Sequence, residues 1–190
     1  MYWRIRKYGP LDLFKKYGLH IFLIFSVLFN FLLIATRPNL KKVITTDVKN
    51  QLEAFAKQVA THILDTSYIS YGAATSALLD TTNGELDLPV IGELRRQQLL
   101  PTSAEELKAN IQTYTSQKRV VAIRIDNVST GEAVVVNGAS LIPIDVSGVV
   151  AVHSADEAGP PSPFHFQFLM GYRGGNTQTP LVASFKDLSG

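Results

Sequence analysis

An unbroken run of uncharged residues lies between Lys16 and Arg37. It reads YGLHIFLIFSVLFNFLLIAT and is 20 residues long, so as an α-helix it would span about 30 Å, the thickness of the hydrocarbon core of a bilayer. The pattern predicts a transmembrane helix at residues 19–36, preceded by a short tail at residues 1–18. Asn30 lies deep in this helix, where its amide either hydrogen-bonds to a partner helix or is tolerated as a lone polar group.

Beyond the span, apolar residues recur at helical spacing. Steps of three and four residues separate the members of this apolar stripe, which are Val48, Leu52, Phe55, Val59 and Ile63. The stripe is typical of an amphipathic helix, within a juxtamembrane segment at residues 37–65. The helix either packs on its own domain or forms a stalk that contacts other subunits. The candidate interaction residues of the second alternative are Asn30, Val48, Leu52, Phe55 and Val59.

Three shorter helices are predicted next, at residues 68–79, 93–100 and 101–115. Ser103 precedes Glu106 by three residues, which matches a capping box at the start of the last of them.

From Lys118 onward the period changes to that of strands. Apolar and polar residues alternate at residues 121–126 and, most clearly, at residues 164–172, where one face is predicted to lie in the core. Further strands are predicted at residues 133–136, 141–153 and 181–186. Asn137-Gly138 is typical of a turn or a bulge, and Pro143 and Gly148 would bend the third strand or place it at a sheet edge.

Helices first and strands afterwards predict an α+β fold, in which helices pack on one face of a curved antiparallel sheet at residues 66–190. The length of that segment suits one domain.

Charge is distributed unevenly along the chain. Residues 1–37 hold six basic residues and one acid, whereas the rest holds 12 basic and 15 acidic residues. A nucleic-acid-binding domain would carry the basic excess itself, so no direct contact with nucleic acid is predicted. The tail has five basic residues and the other flank of the span has three, Arg37, Lys41 and Lys42, which favours a cytoplasmic tail.

Few residues indicate chemistry. The chain has no cysteine, and His20, His62, His153 and His165 are scattered without metal-binding spacing, so no cofactor, metal or catalytic residue is predicted. Asp145, in an apolar strand, could face a pocket together with Tyr68 and Tyr71. It would then be a buried general base, or else a carboxylate in water at a bulge or edge.

The order of elements resembles one known family. Residues 54–79, AFAKQVATHILDTSYISYGAATSALL, and residues 113–187, with the strand FHFQFLMGYR, are similar to the helical element and the sheet of the TraE-type inner-membrane scaffold proteins of conjugative and other type IV secretion systems. The resemblance implies a nuclear-transport-factor-like cone in the periplasm and a non-enzymatic role through protein contacts. It covers most of residues 1–187.

These observations together predict a single-pass inner-membrane protein. Its expected partners are the lipid bilayer, other subunits of a membrane complex and further copies of itself. Two alternatives stay open: an accessory single-pass subunit of another membrane complex, and a membrane-anchored ligand-binder or enzyme with a pocket in the cone.

Overall fold

The computed structural model describes residues 45–80, 84–173 and 179–189, together with Phe22, Phe25, Ser26, Val27 and Phe29, which are helical. The chain divides into two compact units, Met1–Lys42 and Val43–Gly190. Most of the predicted span at residues 19–36, including Asn30, lies outside the described residues. Among the described residues, no helix is both long and apolar enough to cross a membrane. The transmembrane helix therefore stays a prediction.

In the described part of the second unit, four helices come first. They are α1 (Thr46–Leu64), α2 (Tyr71–Leu79), α3 (Leu88–Arg96) and α4 (Ala104–Ser116). Two of the starts have a side-chain cap. Thr45 caps α1, since its side chain accepts from Val48 N, and Ser103 Oγ caps α4 by accepting from Glu106 N at 3.2 Å. The Glu106 carboxylate accepts from Thr102 N, which completes a variant of the predicted capping box.

The starts of all three shorter helices differ from prediction, and α4 begins at Ala104 rather than at residue 101. Residues 68–70 form a turn, so α2 begins at Tyr71 rather than at residue 68. The third helix starts five residues earlier than expected, at Leu88, because the Asp87 side chain accepts from Leu88 N and Pro89 occupies the first turn, where its missing N–H costs nothing.

Five antiparallel strands follow among the residues that the structure describes. They are β1 (Val120–Thr130), β2 (Val134–Val136), β3 (Ala139–His153), β4 (Ser162–Tyr172) and β5 (Pro180–Asp187). The sheet order is β1-β3-β4-β5, and β2 also pairs with β3. Gly131 N donates to Pro143 O between the two pairings, so β1 and β2 follow the same edge of β3. The α+β class, with helices beside an antiparallel sheet, is confirmed.

Of the two alternatives for the third strand, a bend or an edge position, the edge position is wrong, because β3 lies between β1 and β4. Pro143 is tolerated there because its backbone faces the gap between β1 and β2, where the ladder needs no N–H. Glycine is required at position 148 because the backbone of β1 passes close by: a Cβ at this position would lie 2.0 Å from Arg124 O. A bulge at residues 125–127 of β1 lies directly opposite.

The core lies between α1 and one face of the sheet, the inner face. Helix α1 contributes Leu52, Ala56, Val59 and Ile63, all at most 4% exposed. The sheet contributes alternate residues of β3 and β4, together with two residues of β5 that lie on either side of an irregularity in its register; they are Ile144, Val146, Phe166, Phe168, Met170, Val182 and Phe185. The alternating row of β4 is therefore core, as predicted. Phe168 packs against Phe166 and Phe185, at centroid distances of 6.2 and 5.7 Å.

Candidate functional site

The apolar stripe of α1 packs on its own sheet. Leu52 and Val59 are 0% exposed, and Val48 and Phe55 are partly buried against the same core. This matches the first alternative that the sequence left open, a helix that packs on its own domain. A role for these side chains toward another subunit stays a prediction, as does that of Asn30, which lies outside the described residues.

Asp145 lies on the outer face of the sheet, away from α1. Ile144 and Val146 point into the core, so strand alternation turns the side chain between them outward. Its Oδ1 accepts from Gln167 Nε2 at 3.0 Å and lies 3.7 Å from His165 Nε2. The side chain is 32% exposed, so the alternative of a buried general base is wrong. The carboxylate is partly solvated, as in the other alternative, but it lies in a central strand rather than at a bulge or an edge.

A serine, a histidine and a carboxylate meet on this outer face, since Ser147 lies opposite His165 in the β3–β4 register. A catalytic triad needs the carboxylate on one ring nitrogen and the serine on the other. Here Asp145 lies nearest Nε2, the nitrogen that accepts the serine proton in that template, and within the described residues no hydrogen bond joins Ser147 to the ring. The arrangement is better explained as cross-strand polar pairing.

Tyr71 is not near Asp145. It is 6% exposed and joins α2 to α4, where its ring meets that of Tyr114 edge-on at 4.9 Å and its hydroxyl accepts from Asn110 Nδ2 at 3.2 Å. Tyr68 is 38% exposed in the turn before α2. The structure therefore does not bring together the three residues for which the sequence suggested a pocket.

The Arg119 guanidinium lies over the ring of Tyr114, 4.7 Å from its centroid, in a cation–π contact. Burial raises the pKa of Tyr114, the neighbouring Tyr71 raises it further, and the positive charge of Arg119 opposes both effects. This cluster fixes the end of α4 against the start of β1.

Arg119 also lines a cavity of about 490 Å³ between the α4–β1 junction and the β3–β4 loop. Its other lining residues are Gln117, Val152, Ser154, Asp156, Glu157 and Gly159. The walls carry one guanidinium and two carboxylates. Within the described residues, no group of three or more metal-ligating side chains comes together, here or elsewhere.

Glu85 forms a polar contact that sequence reasoning missed. It is 8% exposed, and its carboxylate binds Gln58 Nε2 at 2.5 Å and His62 Nδ1 at 2.9 Å. Its backbone O accepts from Val182 N in β5 at 3.0 Å. The residue thereby fastens α1 to the β5 edge. No local pattern could have revealed this, because the partners are separated by 23 and 27 positions in sequence.

A second feature that the sequence analysis did not identify is an exposed stretch of strand, the valine edge, defined as Val134–Val136. Its three side chains are 40%, 70% and 38% exposed, although valine is usually buried. The residues form β2, joined to β3 by the turn Asn137-Gly138, in which both residues have positive φ, 51° and 80°. The sequence did carry a signal, since three consecutive valines cannot all point to one side of a strand.

No protein-family model and no curated protein sequence matches the chain. Two solved structures are similar in fold. A periplasmic fragment of TraM matches with a TM-score of 0.54 and 10% identity, over 73% of this chain and 96% of the fragment. The periplasmic domain of DotI matches with a TM-score of 0.53 and 15% identity, over 72% of this chain and 91% of that domain. At these identities the likeness establishes the fold alone.

Proposed function

We propose that this chain is a non-enzymatic assembly subunit of a cell-envelope complex, most specifically an inner-membrane scaffold of a type IV secretion or conjugation apparatus. In this proposal the tail lies in the cytoplasm, residues 19–36 cross the inner membrane, and the α+β domain works in the periplasm through protein contacts.

The observation that carries the proposal is the shared fold. The matches extend over nearly the whole of a TraM fragment and a DotI domain, both of which are periplasmic. The fold agrees with the arrangement that the resemblance to TraE-type scaffolds implies, with helices before an antiparallel sheet.

The polar residues of the domain support a non-catalytic role. Three of the polar groups described above have a structural explanation: Glu85 fastens α1, Asp145 pairs across strands, and Tyr71 joins two helices. The uneven charge of the sequence supports the orientation, because the basic excess belongs to the segment that we place in the cytoplasm and in the membrane.

Topology is tested first. A C-terminal fusion to alkaline phosphatase, which is active only in the periplasm, should be active in cells, and a C-terminal fusion to a cytoplasm-dependent fluorescent protein should be dark. The matched control deletes residues 19–36, which should reverse both readouts. A bright fluorescent fusion of the full chain would overturn the periplasmic placement.

The assembly role is tested by deletion and complementation in the native host. We expect the deletion to abolish transfer by the secretion apparatus, and the full chain, but not the chain without residues 19–36, to restore it. The native protein should co-purify with other envelope subunits at fixed stoichiometry after detergent extraction. Normal transfer in the deletion strain would contradict the scaffold role.

A further inference from the structure

The edges of the sheet are not equally protected. Asp87 N donates to Val182 O at 3.0 Å, so the segment before α3 covers part of the β5 edge. At the opposite edge, Val121 N donates to Ser67 Oγ at 2.9 Å, which covers the start of β1. Unpaired edges invite pairing with another chain, and proteins usually block them in such ways.

The middle of β1 is protected by two other devices. The bulge at residues 125–127 interrupts the regular backbone spacing, and the ion pair between Arg124 and Asp126 places charges beside it. Bulges and charges both discourage strand addition. The valine edge, which continues the same border of the sheet, has no charged residue and no bulge.

The backbone of the valine edge points outward at its centre. A two-residue turn joins a hydrogen-bonded pair, here Val136 with Ala139, and hydrogen-bonded pairs alternate along an antiparallel ladder. Val135, paired with Ser140, therefore directs its N–H and C=O away from β3. It is also the most exposed of the three valines, at 70%.

We propose that the valine edge pairs antiparallel with the valine edge of a second copy of this chain, so that the two sheets continue across a twofold axis at Val135. In this register Val135 faces its own counterpart in a hydrogen-bonded pair, and Val134 faces Val136 of the second copy. Both faces of the new ladder then carry valine beside valine, which suits cross-strand packing.

Charge supports a second copy as the occupant. The nearest acid, Glu132, falls opposite Gly138 of the other chain in this register, so no like charges meet. The edge is thus complementary to itself, as an isologous interface requires. The pairing uses only the surface of the domain and holds whether or not the secretion role does.

The chain has no cysteine, so single introduced thiols report on the contact. The full chain is expressed in cells at low level and oxidised with copper phenanthroline. Val135→Cys should form a disulfide-linked dimer, because the Cα atoms of a hydrogen-bonded pair lie about 5.5 Å apart, within disulfide range. Leu88→Cys, a matched control that is 65% exposed on α3, should stay monomeric.

The register is tested with two differently tagged variants, Val134→Cys and Val136→Cys. Co-expressed, they should cross-link to each other more than either does to itself, since these positions face each other across the axis. A charge variant adds an independent readout: Val135→Lys places like charges opposite each other and should shift the native mass of the extracted chain downward, whereas Leu88→Lys should not.

Three results would overturn the pairing. The first is that Val135→Cys forms no dimer, and the second is that positions 135 and 88 cross-link equally. The third is that Val134→Cys and Val136→Cys, when co-expressed, cross-link to each other no more than each does to itself. Because Val135 is exposed, its variants should keep the wild-type circular dichroism spectrum, which separates a lost contact from a lost fold. A partner other than a second copy would appear as a cross-linked band of different mass and also counts against the proposal.

Discussion

Leu52→Ala distinguishes the two roles that the apolar stripe of α1 could have. Leu52 is 0% exposed and belongs to the core formed with the inner face of the sheet. A buried Leu→Ala change costs about 2–5 kcal/mol, and more where the surroundings cannot collapse, so we expect about 3–5 kcal/mol here. In a domain of this size the loss corresponds to a fall in Tm on the order of 10 °C.

The assay is urea unfolding of the second unit, residues 43–190. Unfolding is monitored by circular dichroism and by the near-ultraviolet absorbance of the tyrosines. The matched control is Lys57→Ala, on the exposed side of the same helix, which should change the free energy of unfolding by less than about 0.5 kcal/mol. The reasoning is refuted if Leu52→Ala unfolds like the control while lowering the native mass of the full chain, since the stripe would then be an interface between subunits.

Three further changes follow from single contacts. Gly148→Ala should lower the free energy of unfolding by about 1–3 kcal/mol or more in the same assay, because the added Cβ would meet Arg124 O; an unchanged urea midpoint would contradict the close approach. Ser103→Ala removes the cap that accepts from Glu106 N and should cost about 1 kcal/mol, with the helical signal reduced rather than abolished. Tyr114 has a folded pKa raised mainly by burial, so its contribution to stability is complete below the unfolded pKa of about 10 and is lost as the pH rises through the folded value. Tyr114→Phe should therefore lose less stability than wild type over that alkaline range in urea titrations, and identical losses would count against the burial effect.

Much of the architecture could be predicted where the pattern repeats within one element. The stripe of α1 and the alternation of β4 are each set by a single period, and both were recognised because burial on one side enforces that period. The turn at Asn137-Gly138 was also predictable, since its two positive φ angles suit those residue types.

Features that depend on distant partners were not predictable. The outward direction of Asp145 follows from which face of β3 meets α1, and Glu85 acquires its role only when α1 and β5 come together. The edge position, one of the two alternatives for β3, was wrong for a similar reason. Proline favours an edge strand, and only the fold shows that Pro143 lies beside the gap between β1 and β2.

The same geometry determines how the domain can engage other molecules. Helix α1 covers the inner face of the sheet, so that face is unavailable, whereas the outer face keeps partly exposed polar side chains such as Asp145, His165 and Gln167. Pairing at the valine edge would use backbone groups that point outward in the plane of the sheet. The side chains of both faces stand perpendicular to that plane. A dimer formed in this way would therefore leave the outer faces of both copies open. One domain could then contact a second copy of itself and a different subunit at the same time, as the proposed scaffold role requires.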